Sequence, residues 1–166
     1  EEGKFRWDLI DSYAQPWIER GKKIALRIIA SEDRFEYATP EWVKNAGAKG
    51  IYYHSGQKYS PEAKLWDPVF DDPIFLQKLE NFLAAMAKRY NGSPNLAFID
   101  IGSFGLWGEG HTGYSSKLNQ EQTDKAVKIH IDLHKKYFPD TQLAISDDVA
   151  GASRPGANFP ITDYAF

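Results

Sequence analysis

Apolar residues recur along this chain in two patterns, and each pattern predicts one type of secondary structure. Segments 8–20, 72–90 and 119–138 carry apolar residues at the spacing of one helical face, which predicts three helices. Pro16 predicts a kink in the first helix, because proline supplies no backbone donor. Asp72 precedes a proline and predicts the start of the second helix, since a side-chain acceptor there caps free backbone N–H groups.

The second pattern is a run of apolar residues with few polar interruptions. Segments 24–30, 96–101 and 142–146 have this pattern, which is typical of strands covered on both faces in parallel sheets. Segment 161–166 predicts a fourth strand, whereas segment 31–71 is long and without a regular pattern. Helices and strands alternate, so the sequence predicts an α/β protein with a parallel sheet.

Two architectures have this order of elements: an open doubly wound sheet and part of a (β/α)₈ barrel. No glycine-rich phosphate loop follows the first strand, which weakens the nucleotide-binding form of the doubly wound sheet. The loops rich in polar and aromatic residues follow strands, where a barrel carries its active site. A whole barrel takes roughly 250 residues. With 166 residues, the chain is expected to be one domain, residues 1–166, that forms part of a larger catalytic barrel.

Composition narrows the classes of partner and location. A net charge of −3 without a Lys/Arg cluster argues against nucleic acid, and no apolar run is long enough to span a membrane. The chain has no cysteine, which excludes disulfides and thiolate metal sites and fits a bacterial periplasmic or secreted protein as well as a cytosolic one. We expect a periplasmic or secreted location rather than a cytoplasmic one.

Segment 98–112 is the centre of the candidate chemistry. It follows the second predicted strand and carries Trp107, Glu109 and His111. Closely spaced glycines, which let other groups approach the backbone, lie in this segment and directly after it: Gly102, Gly105, Gly108, Gly110 and Gly113. Such a loop can hold an acid over a sugar ring. An apolar setting, which favours the protonated form of a carboxyl, is expected from the neighbours Phe104, Leu106 and Trp107. The alternative is a solvated loop glutamate, or one paired with an arginine or lysine.

The first 23 residues also bear on a possible reaction with sugars. Segment 1–11, EEGKFRWDLID, is followed by Trp17 and by the Gly-Lys-Lys of segment 21–23. This succession resembles the region near the second strand of clan A glycoside hydrolases, with the β-galactosidase-like families most similar. The resemblance implies that the chain spans about strands 3 to 6 of a (β/α)₈ barrel with their helices. The remainder of the barrel would come from the same full-length chain.

The resemblance also implies a reaction. Glu109 lies just beyond the implied fourth strand, where the clan has its general acid/base. The clan has asparagine immediately before that glutamate, whereas this chain has Gly108. The nucleophile, a second glutamate after the seventh strand, would lie outside this chain. The implied function is hydrolysis of O-glycosidic bonds in an oligo- or polysaccharide, with retention and with neither cofactor nor metal.

Further residues are candidates for contacts with the sugar. Trp107 and Trp66 have faces on which a sugar ring can stack, although both also fit core packing. His111 can bond a hydroxyl or tune Glu109, with an ordinary loop histidine as the alternative. Other polar residues follow predicted strands, where barrel sites lie, or a further short strand: Asp147, Asp148, Glu32 and His54. Of the two aspartates, one is expected to face the site and the other to cap the next turn.

Two pairs of polar residues are interpreted as structural, with positioning of the site as the alternative for the first pair. Arg27 and Asp100 interrupt apolar strands, and because a buried charge is costly without a partner, we expect them to meet each other or another polar group across neighbouring strands. His130 and His134 are four residues apart on a helix. They lack the glutamate of a His-Glu-x-x-His motif, so a packing or interface role is favoured over a metal site.

Three other functions stay open. The first is a non-catalytic, carbohydrate-binding relative of the barrel enzymes. The second is a small doubly wound α/β binding module, complete as it stands. The third, a hydrolase or transferase of another clan, is disfavoured because the sequence has no Gly-x-Ser-x-Gly nucleophile elbow.

Overall fold

Alternating helices and strands build a parallel sheet with its helices on one side. The structure, a computed structural model, describes residues 2–54 and 64–150, with the side chains of residues 147 and 150 left out. Its elements in chain order are α1 (Trp7–Ile18), β1 (Ile24–Arg27), α2 (Glu41–Asn45), β2 (Gly50–Tyr53), β3 (Leu65–Pro68), α3 (Pro73–Tyr90), β4 (Leu96–Asp100), α4 (Gln120–Tyr137), β5 (Leu143–Ala144) and α5 (Asp147–Ala150).

The main sheet has three strands in the order β1-β4-β5, and both pairs are parallel. This confirms the predicted α/β class with a parallel sheet. Between consecutive strands the chain passes through a long helix, α3 and then α4. Within the described residues the sheet remains open and does not close into a barrel.

The two long helices begin where the sequence predicts. The Asp72 carboxylate accepts hydrogen bonds from the backbone N–H groups of Ile74 and Phe75, each at 3.0 Å, and thereby starts α3. Asn119 and Gln122 form a capping box at the start of α4. These bonds satisfy N–H groups that have no partner inside a helix, so both starts are defined by local sequence.

The core lies between the sheet and the helices. Leu83 of α3 and Ile99 of β4 have no exposed surface. They belong to one apolar cluster with residues of α3, α4 and β5, among them Leu79, Met86, Val127, Ile131 and Leu143. α1 joins the same layer, since the Trp7 ring lies 6.2 Å from Phe82 and 6.0 Å from Tyr90, both on α3.

The opposite face of the sheet is open. Ala25 is in register with Phe98 and Arg27 with Asp100, so these four side chains share a face, whereas Ile99 between them points into the core. Ala25, Arg27 and Phe98 are exposed, with Phe98 at 37%. The helices therefore cover one face only.

Segment 31–71 is more regular than its sequence predicts. It contains α2 and two antiparallel strands, β2 and β3, in a separate sheet where Tyr52 is in register with Trp66. Each strand has only four residues, too few for a recognisable alternation. The strand predicted over 24–30 ends at Arg27, and the strand predicted over 142–146 has two residues. The strand predicted over 161–166 lies outside the described residues.

Among residues 2–54 and 64–150, no helix combines the length and the apolar character that crossing a membrane requires.

Candidate active site

The loop after β4 turns tightly at Trp107 and Gly108. The Glu109 N–H donates to the Leu106 carbonyl at 3.1 Å, and the two residues between them have φ values of 58° and 74°. Positive φ at both central positions is the arrangement of type I′ turns, which favour glycine. The Leu106 N–H donates to the His111 carbonyl at 2.9 Å and closes the loop on itself. The backbone around Glu109 is therefore held by local hydrogen bonds.

Trp107 is anchored to the segment that follows β1. Its backbone N–H donates to the Ser31 carbonyl at 3.0 Å, and its indole Nε1 donates to Asp33 Oδ1 at 3.1 Å. A bulky residue with positive φ is an outlier, and such outliers persist where the surroundings hold them. The indole also meets His111 edge to face, with ring centroids 5.9 Å apart. Trp107 is thus a fixed, half-buried aromatic beside Glu109.

The Glu109 carboxylate lies between two basic side chains. Its Oε1 is 3.9 Å from Arg27 Nη1, and its Oε2 is 3.6 Å from His111 Nε2. The side chain is 36% exposed, whereas Phe104 and Leu106 point into the interior. The expectation of an apolar setting for the Glu109 carboxylate is therefore wrong, because the carboxylate lies on the side of the turn that faces Arg27 and His111.

Asp148 completes a polar cluster with Glu109 and His111. Its Oδ2 lies 3.9 Å from His111 Nε2, and one donor atom from each of the three side chains lies within 4.8 Å of the others. These are the described residues that could hold a metal ion. Glu109 and Asp148 follow different strands, β4 and β5, and meet because the carboxyl ends of parallel strands share one edge of the sheet.

The predicted pairing of Arg27 with Asp100 is confirmed. The two residues are in register across β1 and β4, and Arg27 Nε lies 3.2 Å from Asp100 Oδ2. Burial raises the pKa of Asp100, Arg27 opposes this rise, and the Glu109 carboxylate adds to it. The second Asp100 oxygen, Oδ1, is buried and has no hydrogen-bond partner among the described residues.

Other predicted site residues lie away from this cluster. Trp66 is a core residue of β3, 3% exposed, and its indole occupies the space in front of Gly50. The structure therefore does not present it as a stacking platform. His54 is exposed and directly follows β2, a strand of the second sheet. Glu32 follows β1 and is half-buried, 4.0 Å from Arg34. The Asp147 side chain lies outside the described part of the structure.

The pKa of Glu32 is raised by burial and by its side-chain interaction with Asp33. The Asp33 N–H donates to Glu32 Oε1 at 3.0 Å. Glu32 thus stands at the same edge of the sheet as Glu109, since both follow parallel strands. The polar contacts of Glu32 with Asp33 and Arg34 lie within its own loop.

One buried polar group near the loop was missed by sequence reasoning. Asp67 of β3 is 2% exposed, and its Oδ1 accepts a hydrogen bond of 2.5 Å from Ser31. Burial raises the pKa of Asp67, and the bond from Ser31 opposes the rise. Ser31 also supplies the carbonyl that holds Trp107, so Asp67 supports the loop from below. A lone aspartate between Trp66 and a proline was the available signal.

Another buried polar group, His130, supports the start of the loop. Its Nε2 lies 2.8 Å from the Phe70 carbonyl, which can only accept, so Nε2 carries the proton. Its Nδ1 then accepts from the Ser103 hydroxyl at 2.7 Å. Burial lowers the pKa of His130 and that of His134 to about 4. Both histidines lie in the interior, in line with the packing interpretation.

A cavity of about 580 Å³ adjoins the loop. This volume is within the range of small-molecule pockets. Its lining combines aromatic faces with hydroxyl, imidazole and amide groups, including Trp107, His111, Thr112, Tyr114, Gln120 and Thr123.

No protein-family model matches this chain, and searches among curated proteins and among solved structures found no match.

Proposed function

We propose that this chain is part of the catalytic (β/α)₈ barrel of a retaining glycoside hydrolase, with Glu109 as general acid/base. One observation carries the proposal: the partly exposed Glu109 carboxylate stands on a hydrogen-bonded turn at the carboxyl edge of a parallel sheet, beside a fixed indole. The substrate is an oligo- or polysaccharide, and neither a metal nor a cofactor takes part.

The topology supports a barrel over a doubly wound sheet. The strands follow each other in space as they do in the chain, and α1, α3 and α4 lie in one layer on one face. A doubly wound sheet reverses its strand order at a switch point and has helices on both faces. Parallel sheets are covered on both faces, so the open face with Ala25 and Phe98 requires a cover. Opposing barrel strands provide one.

In the proposed mechanism Glu109 acts twice. Its protonated carboxyl gives a proton to the glycosidic oxygen as the bond to the sugar breaks, and the carboxylate then removes a proton from the attacking water. The nucleophile, a second carboxylate about 5 Å away in retaining enzymes, comes from outside this chain. Trp107 offers its face to the sugar, and Asp148 and His111 bond hydroxyl groups.

Replacement of the acid tests the proposal. In the full-length protein, Glu109→Gln is expected to lower kcat/KM on aryl glycosides with poor leaving groups by about 100- to 10,000-fold, the range for general acid–base catalysis. With a good leaving group, azide should restore part of the rate, because the small anion takes the place of the activated water. Unchanged turnover in this variant would contradict the assignment of Glu109 as general acid/base.

A matched control is Glu121→Gln, since Glu121 is an exposed glutamate in the first turn of α4. It should leave turnover unaltered. If neither the parent protein nor any variant cleaves glycosides, while calorimetry detects saccharide binding that needs Trp107, the non-catalytic binding relative becomes the better function. We extend the proposal to a periplasmic or secreted location, which fractionation of the native cells tests.

A further inference from the structure

We infer that Arg27 is a positioning residue that sets the direction of the Glu109 carboxylate, an inference that rests on the proposed function. One guanidinium group makes three contacts around this loop. Arg27 Nε pairs with Asp100 Oδ2 at 3.2 Å, Nη2 donates to the Gly108 carbonyl at 3.2 Å, and Nη1 lies 3.9 Å from Glu109 Oε1.

Asp100 determines the orientation of this group. It is in register with Arg27 on the neighbouring strand and holds Nε, the nitrogen nearest the side-chain stem. The guanidinium is planar and rigid, so the contact of Nε with Asp100 also determines where the two terminal nitrogens lie. Both then face the glycine loop. The pair therefore does more than neutralise two charges in the sheet.

Two glycines, Gly102 and Gly108, allow Arg27 and the loop to lie close together. A Cβ on Gly102 would lie 3.0 Å from Arg27 Cγ and Nε and 2.8 Å from the Ile28 carbonyl oxygen. A Cβ on Gly108 would lie 2.6 Å from Gly102 Cα. The approaches of 2.8 Å and 2.6 Å, both to backbone atoms, are shorter than a real Cβ makes, so only glycine lets these backbone segments lie this close beside the arginine stem.

The contact with Gly108 bears directly on Glu109. The Gly108 carbonyl belongs to the peptide plane from which the Glu109 backbone continues, so holding that oxygen holds the Cα–Cβ direction of the acid. At 3.9 Å, the Arg27–Glu109 pair is too long for a hydrogen bond. The carboxylate thus keeps its oxygens free for proton transfer. Among the described residues, the other ionisable groups near Glu109 are Asp100, whose pKa the Glu109 charge raises, His111 and, through His111, Asp148.

The test is leaving-group dependence in Arg27→Met, made in the full-length protein. A misdirected acid slows only substrates that need protonation. We expect kcat/KM to fall about 100-fold for aryl glycosides with poor leaving groups, the loss typical of a displacement near 1 Å. The 2,4-dinitrophenyl glycoside of the same sugar should be nearly unaffected. In Arg27→Ala, guanidinium ion added at millimolar concentration should restore part of the lost rate.

Each other result overturns the inference. An equal loss of kcat/KM on both substrates would mean that Arg27 has a purely structural role. Unchanged rates would mean that Arg27 has no role in the reaction. Arg27→Lys is the second variant, for the case in which the methionine variant does not fold. Because its single ammonium group cannot hold Asp100 and Gly108 together, it should show the same loss on substrates with poor leaving groups only. Rates equal to those of the parent protein would contradict the inference. Arg6→Met is the matched control, because Arg6 pairs with Asp8 on the surface.

Glu109→Gln measured in the same assay separates the two proposals. If that variant shows no leaving-group dependence, the acid/base assignment fails and the role of Arg27 fails with it. If Glu109→Gln shows the dependence and the Arg27 variants do not, only the positioning role is wrong.

Discussion

Gly108 lies with its Cα against the backbone of Gly102, so close that a Cβ at position 108 would be 2.6 Å from Gly102 Cα and 2.6 Å from its carbonyl oxygen. Gly108 also has a φ of 74°. This contact leaves no room for a side chain such as that of asparagine at the position before Glu109. In this loop, close backbone packing and a side chain at position 108 exclude each other.

Replacing Gly108 should therefore damage the loop. We expect Gly108→Ala to lower the free energy of unfolding by about 2 to 4 kcal/mol, from overpacking together with the cost of positive φ. Urea unfolding of the parent and the variant measures this loss. Gly113→Ala is the control, since a Cβ there meets nothing within 4 Å and its φ is not positive. Equal stability of the two variants would contradict the packing argument.

The buried carboxyl of Asp67 should make stability depend on pH. Burial raises its folded-state pKa above the ordinary 3.8, so the unfolded chain releases this proton first as pH rises. Stability is then lost from about pH 4 upward until the folded pKa is passed, with a slope of up to about 1.4 kcal/mol per pH unit.

Asp67→Asn should remove this dependence and keep the acceptor for Ser31. At pH 7 the variant is expected to be more stable than the parent, because its neutral amide avoids the cost of a buried charge. Urea unfolding from pH 4 to pH 7 gives both curves. Parallel curves would show that the Asp67 carboxyl is not the group responsible.

His130 should contribute in the opposite direction. Its folded-state pKa is about 4, below the ordinary 6.5, so the unfolded chain takes up a proton first as pH falls. The stability is fully present above pH 6.5 and is lost toward pH 4, by on the order of 3 kcal/mol. His130→Leu should be less stable at pH 7, because Ser103 and the Phe70 carbonyl lose their partner. Its acid slope should be shallower, and an unchanged slope would refute the assignment.

Divalent zinc should inhibit the proposed reaction, although the reaction needs no metal. Glu109, His111 and Asp148 bring one donor atom each within 4.8 Å of the others, and zinc bonds of about 2.1 Å would need only small rotations. Zinc bound there would occupy the acid. Chelation with EDTA should leave glycosidase activity intact, micromolar zinc should lower it, and His111→Gln should weaken that inhibition. Loss of activity on chelation would argue against the metal-free mechanism.

Local sequence determined the elements that depend on local rules. The cap at Asp72 and the apolar stripes of the two long helices were sufficient to predict α3 and α4. The strands of the main sheet were predicted in place, but their ends were not, because strand ends depend on the neighbouring strand. The antiparallel pair β2–β3 was missed for the same reason: four residues contain too little pattern, and pairing between distant segments stabilises them.

For the candidate site, the sequence by itself determined which residues follow the strands and that Arg27 and Asp100 needed partners. Only the tertiary structure decided that Arg27 also reaches the Gly108 carbonyl, that Trp66 is a core residue, and that Asp148 joins His111 and Glu109. These facts depend on how side chains from segments far apart in the chain meet at one edge of a sheet. Spacing along a chain cannot specify such distances, since they follow from strand register and from the close backbone contact that Gly102 and Gly108 permit.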